Sequence, residues 1–294
     1  MMQAPAQPKY EIKGKPLIDF NIFQLGNDPS DPMVLELTQE VVRTTNEDFR
    51  GNQYVELDLP DLRKGQMLGH SNPYRRWAWG PRARKLYGKD SKGNEIGLLT
   101  PGLLELALEY GTLPDGRNTY EDLAVVVYST TRANSQLAQH LVDQAKRIGQ
   151  VKFPVVIYGL QTVKDDRFPD GLRFDLGDVA VAYHVPILSR TGKFDASDPE
   201  LAKTGFPSKL GSGSRTLYIA DYGLRRVFRN RYPILDASNA YLSYSSEAGR
   251  VSFVKGAAPQ NLEAALQAVE AEVGRQEEAI SARKARALEI LGQH

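Results

Sequence analysis

A chain of 294 residues with 41% apolar side chains is long enough for one large domain or two ordinary ones with a sizeable core. Its 37 basic and 36 acidic residues leave a formal charge of +1, so no global excess of either sign steers it to nucleic acid or membrane. Cysteine is absent, which excludes disulfides, thiolate nucleophiles and cysteine-held zinc; with no signal-like apolar run at the start and none near the roughly 20 residues of a membrane span, the chain reads as cytoplasmic.

In chain order, residues 1–16, rich in Pro, Gln and Lys, read as a flexible arm, and 17–256 as a single α+β domain. "LIDFNIFQL" predicts a short strand. "SDPMVLELTQEVVRTT" predicts a helix start, with Ser30 or Asp31 as cap, Pro32 at the first helical position, and Val34, Leu37 and Val41 at helical spacing. Pro73, Gly80, Pro81 and Gly88 interrupt the stretch after Asn72, predicting a loop or a bent strand pair. "TPGLLELALEYG" reads as a helix between a Thr cap and Gly111, "LAVVVYS" as a strand buried on both faces, and "TTRANSQLAQHLVDQAKRIG" as a capped amphipathic helix.

After Gly149, the one point where the domain would subdivide, the mixed first half gives way to Val, Ile, Tyr and Phe in short runs. These predict a twisted, mainly antiparallel sheet. The polar stretch "SRTGKFDASDPELAKTGFPSKLGSGSR" is too long for an idle connection and is expected to be mobile, able to close over a ligand. Residues 259–292 read as a long C-terminal helix with Leu262, Leu266, Val269, Val273 and Ile280 on one stripe. Gln276 and Arg283 spoil a sustained coiled coil, so the helix docks either on the protein's own sheet or on another chain, making a homo-oligomer or holding a protein partner.

Charge is segregated along the chain. Residues 1–60 carry ten carboxylates against five cations, residues 61–100 nine cations against three carboxylates, and residues 200–235 seven cations against two. The first basic region holds "NPYRRWAWGPRARKLYGKD", residues 72–90, with both tryptophans of the chain. Single strands are bound by cations that track phosphates and aromatic faces that stack bases, placed within a few residues of each other. Tyr74, Arg75, Arg76, Trp77, Trp79, Arg82, Arg84, Lys85 and Tyr87 supply both. "DYGLRRVFRNRYP" repeats the pairing with Arg225, Arg226, Phe228, Arg229 and Arg231. As a strand it sends Arg225, Val227, Arg229 and Arg231 to one side, making that face largely cationic. A competing structural reading makes these aromatics core anchors with arginines lying over them, neutralised by the acidic first 60 residues; another makes the stretch a contact for an acidic protein.

Catalytic signals are weaker. The four histidines, His70, His140, His184 and His294, form no HExxH or His-x-His pair, and "KLGSGSRT" has its Lys and Gly in the wrong order for a phosphate loop. Asp170, Asp175 and Asp178 in "FPDGLRFDLGD" would hold Mg²⁺ for phosphodiester cleavage, or else they form turns. The reading is therefore a non-catalytic α+β protein, needing no cofactor and no membrane, that binds single-stranded DNA or RNA within a larger assembly. A scaffolding subunit of an oligomer is the alternative, and a metal-dependent nuclease the third.

Overall fold

The computed structural model describes residues 21–25, 31–58, 69–87, 96–109, 119–230 and 233–255, all inside the unit Phe20–Pro259. The arm expected over 1–16 and the helix expected over 259–292 lie outside the described residues. After strand β1 (Asn21–Gln24), helix α1 (Pro32–Asp48) begins where the sequence predicts. The Asp31 carboxylate accepts from the backbone N–H of Met33 at 2.9 Å and Val34 at 3.4 Å, and Pro32 opens the first turn. The stripe Val34, Leu37, Val41 and Val42 is buried. Helix α2 (Pro73–Tyr87), strand β2 (Ile96–Leu98) and helix α3 (Pro101–Glu109) follow.

Strand β3 (Tyr120–Val127) is the centre of the large sheet. It pairs antiparallel with β4 (Val155–Lys164) on one side and β8 (Leu224–Asn230) on the other. The order is β5 (Leu172–His184), β4, β3, β8, β9 (Ile234–Ala237), β7 (Arg215–Ile219) and β6 (Gly192–Phe194), with β10 (Gly249–Arg250) beside the start of β3. Only β7 with β9 and β10 with β3 run parallel among the described strands. A second sheet sets β11 (Ser252–Lys255) between β1 and β2, antiparallel to both. The class is α+β, and the strands after Gly149 pair mainly antiparallel, but they do not form a sheet of their own. β3 comes from the first half and is the strand on which the sheet is built, so the chain passes Gly149 within one sheet.

Alternation explains the core. Val125 and Val127 of β3 and Val155 and Ile157 of β4 join one cluster with Trp77 and Trp79 of α2 and with Leu137 and Leu141 of α4 (Ser135–Ile148). Val126 and Val156, one position along, are buried just as fully, so both faces of the strands are covered, as the unbroken run "LAVVV" demands. Among the described residues no helix is long and apolar enough to cross a membrane.

One sequence expectation is corrected here. The stretch after Asn72 is helix α2, not a loop or strand pair. Pro73 sits in its first turn, where no N–H is needed, and Gly80 is small because Leu98 of β2 lies where a β-carbon would stand, at 2.3 Å. Pro81 lies in the interior and has no N–H to give the Trp77 carbonyl, a cost of about 3 kcal/mol that burial of Tyr74, Trp77 and Trp79 outweighs. The polar stretch after Leu188 is not bare connection but contains regular structure. It contains β6, paired with β7, and helix α5 (Pro199–Thr204), packed on α3. Asp198 ties this unit, accepting from Glu200 N–H at 3.0 Å and Ser208 N–H at 2.8 Å.

Candidate binding cleft

Most of the cations and rings expected to meet nucleic acid are spent inside the protein. Tyr74, Arg75, Arg76, Trp77 and Trp79 are all buried on α2, and Arg225, Arg226, Phe228 and Arg229 are buried on β8. Arg75 donates only to neutral oxygens, among them the carbonyls of His70 and Glu56, both at 2.8 Å; burial pulls its guanidinium down to about 10. Arg76 meets Glu121 at 2.7 Å and the Leu99 carbonyl at 2.5 Å. Arg226 makes a two-pronged pair with Asp122, both bonds 2.7 Å, and lies over the Phe228 ring at 4.7 Å. Full burial pushes the Asp122 carboxyl above its ordinary range, and the paired guanidinium works against that shift. Glu105 of α3 takes Arg215 at 2.6 and 2.7 Å and faces Arg229 at 3.6 Å.

The alternation expected for β8 is therefore real, but neither face is a cationic surface, because β3 and α3 bring carboxylates to meet it. Arg225 covers the Tyr222 ring at 4.7 Å, Tyr74 stacks on Phe174 with centroids 5.0 Å apart, and Arg82 pairs with Asp48, one of the acidic residues of the first 60. Arg231 lies outside the described residues. Arg84, Lys85 and Tyr87, on the last turn of α2, reach solvent, with Lys255 over the Tyr87 ring at 5.3 Å.

That last turn forms one wall of a cleft of about 230 Å³. Trp77, Pro81, Arg84 and Lys85 face Leu98 to Thr100 and a pair of bulged segments, Tyr158–Gln161 of β4 and Gly177–Val179 of β5. The bulge makes the floor. Tyr158 pairs with Val181 and Leu160 with Leu176, so one β4 residue opposes four on β5. The two backbones touch there: a β-carbon on Gly159, whose φ is +74°, would stand 2.3 Å from the Val179 carbonyl oxygen, and one on Gly177 would stand 2.6 Å from that of Gly159. Gly159→Ala is expected to cost about 1–3 kcal/mol of stability and to distort the floor, read as a lower denaturation midpoint; an unchanged midpoint would show that the bulge has room to give.

The cleft is amphipathic. Leu98, Leu160, Val179 and the Tyr158 ring give apolar surface, and burial keeps the Tyr158 phenol protonated beyond its ordinary range. The Trp77 indole N–H and the Arg84 Nε–H are buried without a hydrogen-bond partner. Lys85 is exposed at the mouth, and Asp178 stands on the opposite wall. A second hollow of about 210 Å³ shares Thr100 and Tyr158 with the first and continues past Tyr183 to Lys203. Tyr158 and the Gly159–Gly177 floor escaped the sequence reading, although isolated glycines inside "VVIYGLQTV" and "LRFDLGDVAVAYH" are the usual mark of a bulge.

The three aspartates do not converge. Asp170 takes the Tyr74 hydroxyl at 3.3 Å, Asp175 is held by Arg173 at 2.9 Å and His140 at 2.8 Å, and Asp178 lines the cleft. Among the described residues no group of three His, Asp or Glu side chains is placed to hold a metal ion. No protein-family model matches the chain, and neither does any curated protein or solved structure.

Proposed function

We propose that the protein is a non-catalytic binder of single-stranded nucleic acid, and that the strand runs along the two joined hollows rather than over the whole basic aromatic stretch. The observation that carries this reading is the meeting of Arg84 and Lys85 with the Trp77 and Tyr158 rings on the lining of one cleft. An extended groove with Arg84 and Lys85 at one end and Lys203 at the other suits a chain of phosphates, and Tyr158 between them offers a ring to a base. Asp178 would accept from a base amino group. A chain without cysteine fits a reducing compartment, and we place the protein in the cytoplasm.

Titration of a labelled oligonucleotide at several salt concentrations tests this. Arg84→Ala and Lys85→Ala are each expected to flatten the slope of log K against log salt by about 0.7, with the melting temperature unchanged. No binding by the parent protein at low salt, or an unaltered slope in both variants, would overturn the reading.

A further inference from the structure

Strand β5 ends the large sheet, so its outer edge has no strand beside it among the described residues. The first half of that edge is covered nonetheless. Gln144 of α4 accepts from Leu176 N–H at 3.0 Å through Oε1 and donates to the Phe174 carbonyl at 3.2 Å through Nε2. These bonds show which residues face out: backbone groups alternate along an antiparallel strand, and the even-numbered ones turn away from β4. Beyond the bulge the parity is the same, because Val185 N–H turns inward to the Pro154 carbonyl at 3.1 Å. Ala180, Ala182 and His184 therefore present their N–H and carbonyl groups at the outer edge, and no described residue bonds them there. Sheets blunt such an edge with a lysine, a proline or an inward charge. This stretch, "AVAYH", has none of these before Pro186, and Val181 in it is 39% exposed.

The bulge opposite Gly159 bounds the free run on one side and Pro186 on the other, which leaves it symmetric about Ala182. We infer that two copies of this chain join edge to edge through β5, antiparallel about a two-fold axis at Ala182. Ala182 then pairs with Ala182 of the mate and Ala180 with the mate's His184, each pair exchanging two backbone bonds. Val181 meets the mate's Tyr183 in the closer, non-hydrogen-bonded position, and a β-branched side chain against an aromatic one is a favoured cross-strand pair. The exposed charges around the stretch, Asp178, Lys152 and Lys203, hold none of these positions, so the joint rests on backbone bonds and apolar contact rather than on charge. The strands that end the sheets elsewhere, β6, β1 and β2, have only three or four residues, and joining β5 to one of them would not close into a dimer. A joint this short lies at the small end of interface sizes, so the dimer forms in a concentration-dependent way.

Sedimentation of the full chain from about 1 μM to 1 mM is expected to show the mass climbing from one chain toward two. Over the same range, hydrogen exchange at the amides of Ala180, Ala182 and His184 is expected to slow several-fold as the mass rises, while the Leu176 amide, already held by Gln144, keeps its rate. Val181→Lys is expected to hold the mass at one chain with an unchanged melting temperature. Ala182→Pro, which deletes only an outward N–H, is expected to do the same. A parent that never exceeds the mass of one chain overturns the inference. So does a dimer whose edge amides exchange as fast as in dilute protein, or one that Val181→Lys forms as readily as the parent.

Discussion

Asp122→Ala is expected to destabilise the fold by about 3–5 kcal/mol, because it leaves the Arg226 guanidinium buried without its counter-charge. Both side chains are 1% exposed, and two 2.7 Å bonds join them. Water therefore cannot take over the lost contact as it would at a surface pair. Equilibrium denaturation followed by tryptophan fluorescence measures the loss. Adding Arg226→Met to Asp122→Leu is expected to recover most of it, since an apolar pair of similar volume needs no counter-charge. Recovery stays partial, because Arg226 Nη1 also holds the Tyr244 carbonyl. A loss below about 1 kcal/mol for Asp122→Ala would mean that solvent reaches the pair.

Trp79→Ala is expected to cost about 3–5 kcal/mol through the cavity it leaves in the core shared by α1, α2 and β3. The ring is 1% exposed and stands apart from the cleft lining, so oligonucleotide affinity should match the parent's wherever the variant is folded. The paired measurement separates two roles for this tryptophan. A base-stacking ring loses affinity by about 1–3 kcal/mol with little change in melting; a core ring does the reverse. Weakened binding with an unshifted melting temperature would return Trp79 to the ligand.

The elements that the sequence revealed are those whose signals are local. Asp31 and Pro32 announce α1, Pro101 announces α3, and the "LAVVV" run announces a strand covered on both faces, because capping and alternation act within a few residues. Helix α2 was hidden because Pro81 and Gly80 are local breakers, while what outweighs them, burial of three aromatic rings against distant strands, is decided by tertiary packing. The burial of the arginines was hidden for the same reason. A run of arginines shows its charge in the sequence but not its partners, and Glu121, Asp122 and Glu105 reach Arg76, Arg226 and Arg215 only once the chain has folded. The serine-flanked tyrosines near 241 belong to the short Tyr-containing runs after Gly149 that predict sheet. Nothing local says that Arg226 and Asn134 will hold that segment as a loop.

The three-stranded sheet bears on how the protein is made. Its middle strand is β11, and β1 on its flank is bonded to it through pairs such as Phe23 with Phe253 and through Gln24 Nε2 donating to Ser252 Oγ at 3.0 Å. During translation β1 leaves the ribosome more than two hundred residues ahead of its neighbour. At ordinary elongation rates it waits roughly 10–50 s with both backbone edges unpaired. The last of the described strands to be synthesised is thus the one that completes the smaller sheet, and through Glu121, which binds Ser252 N–H at 2.9 Å, it also fastens that sheet to the start of β3. A nascent chain stalled before Ser252 would therefore expose Phe23 and Ile22 to whatever chaperone or protease is at hand, while the large sheet behind them had every strand of its principal order.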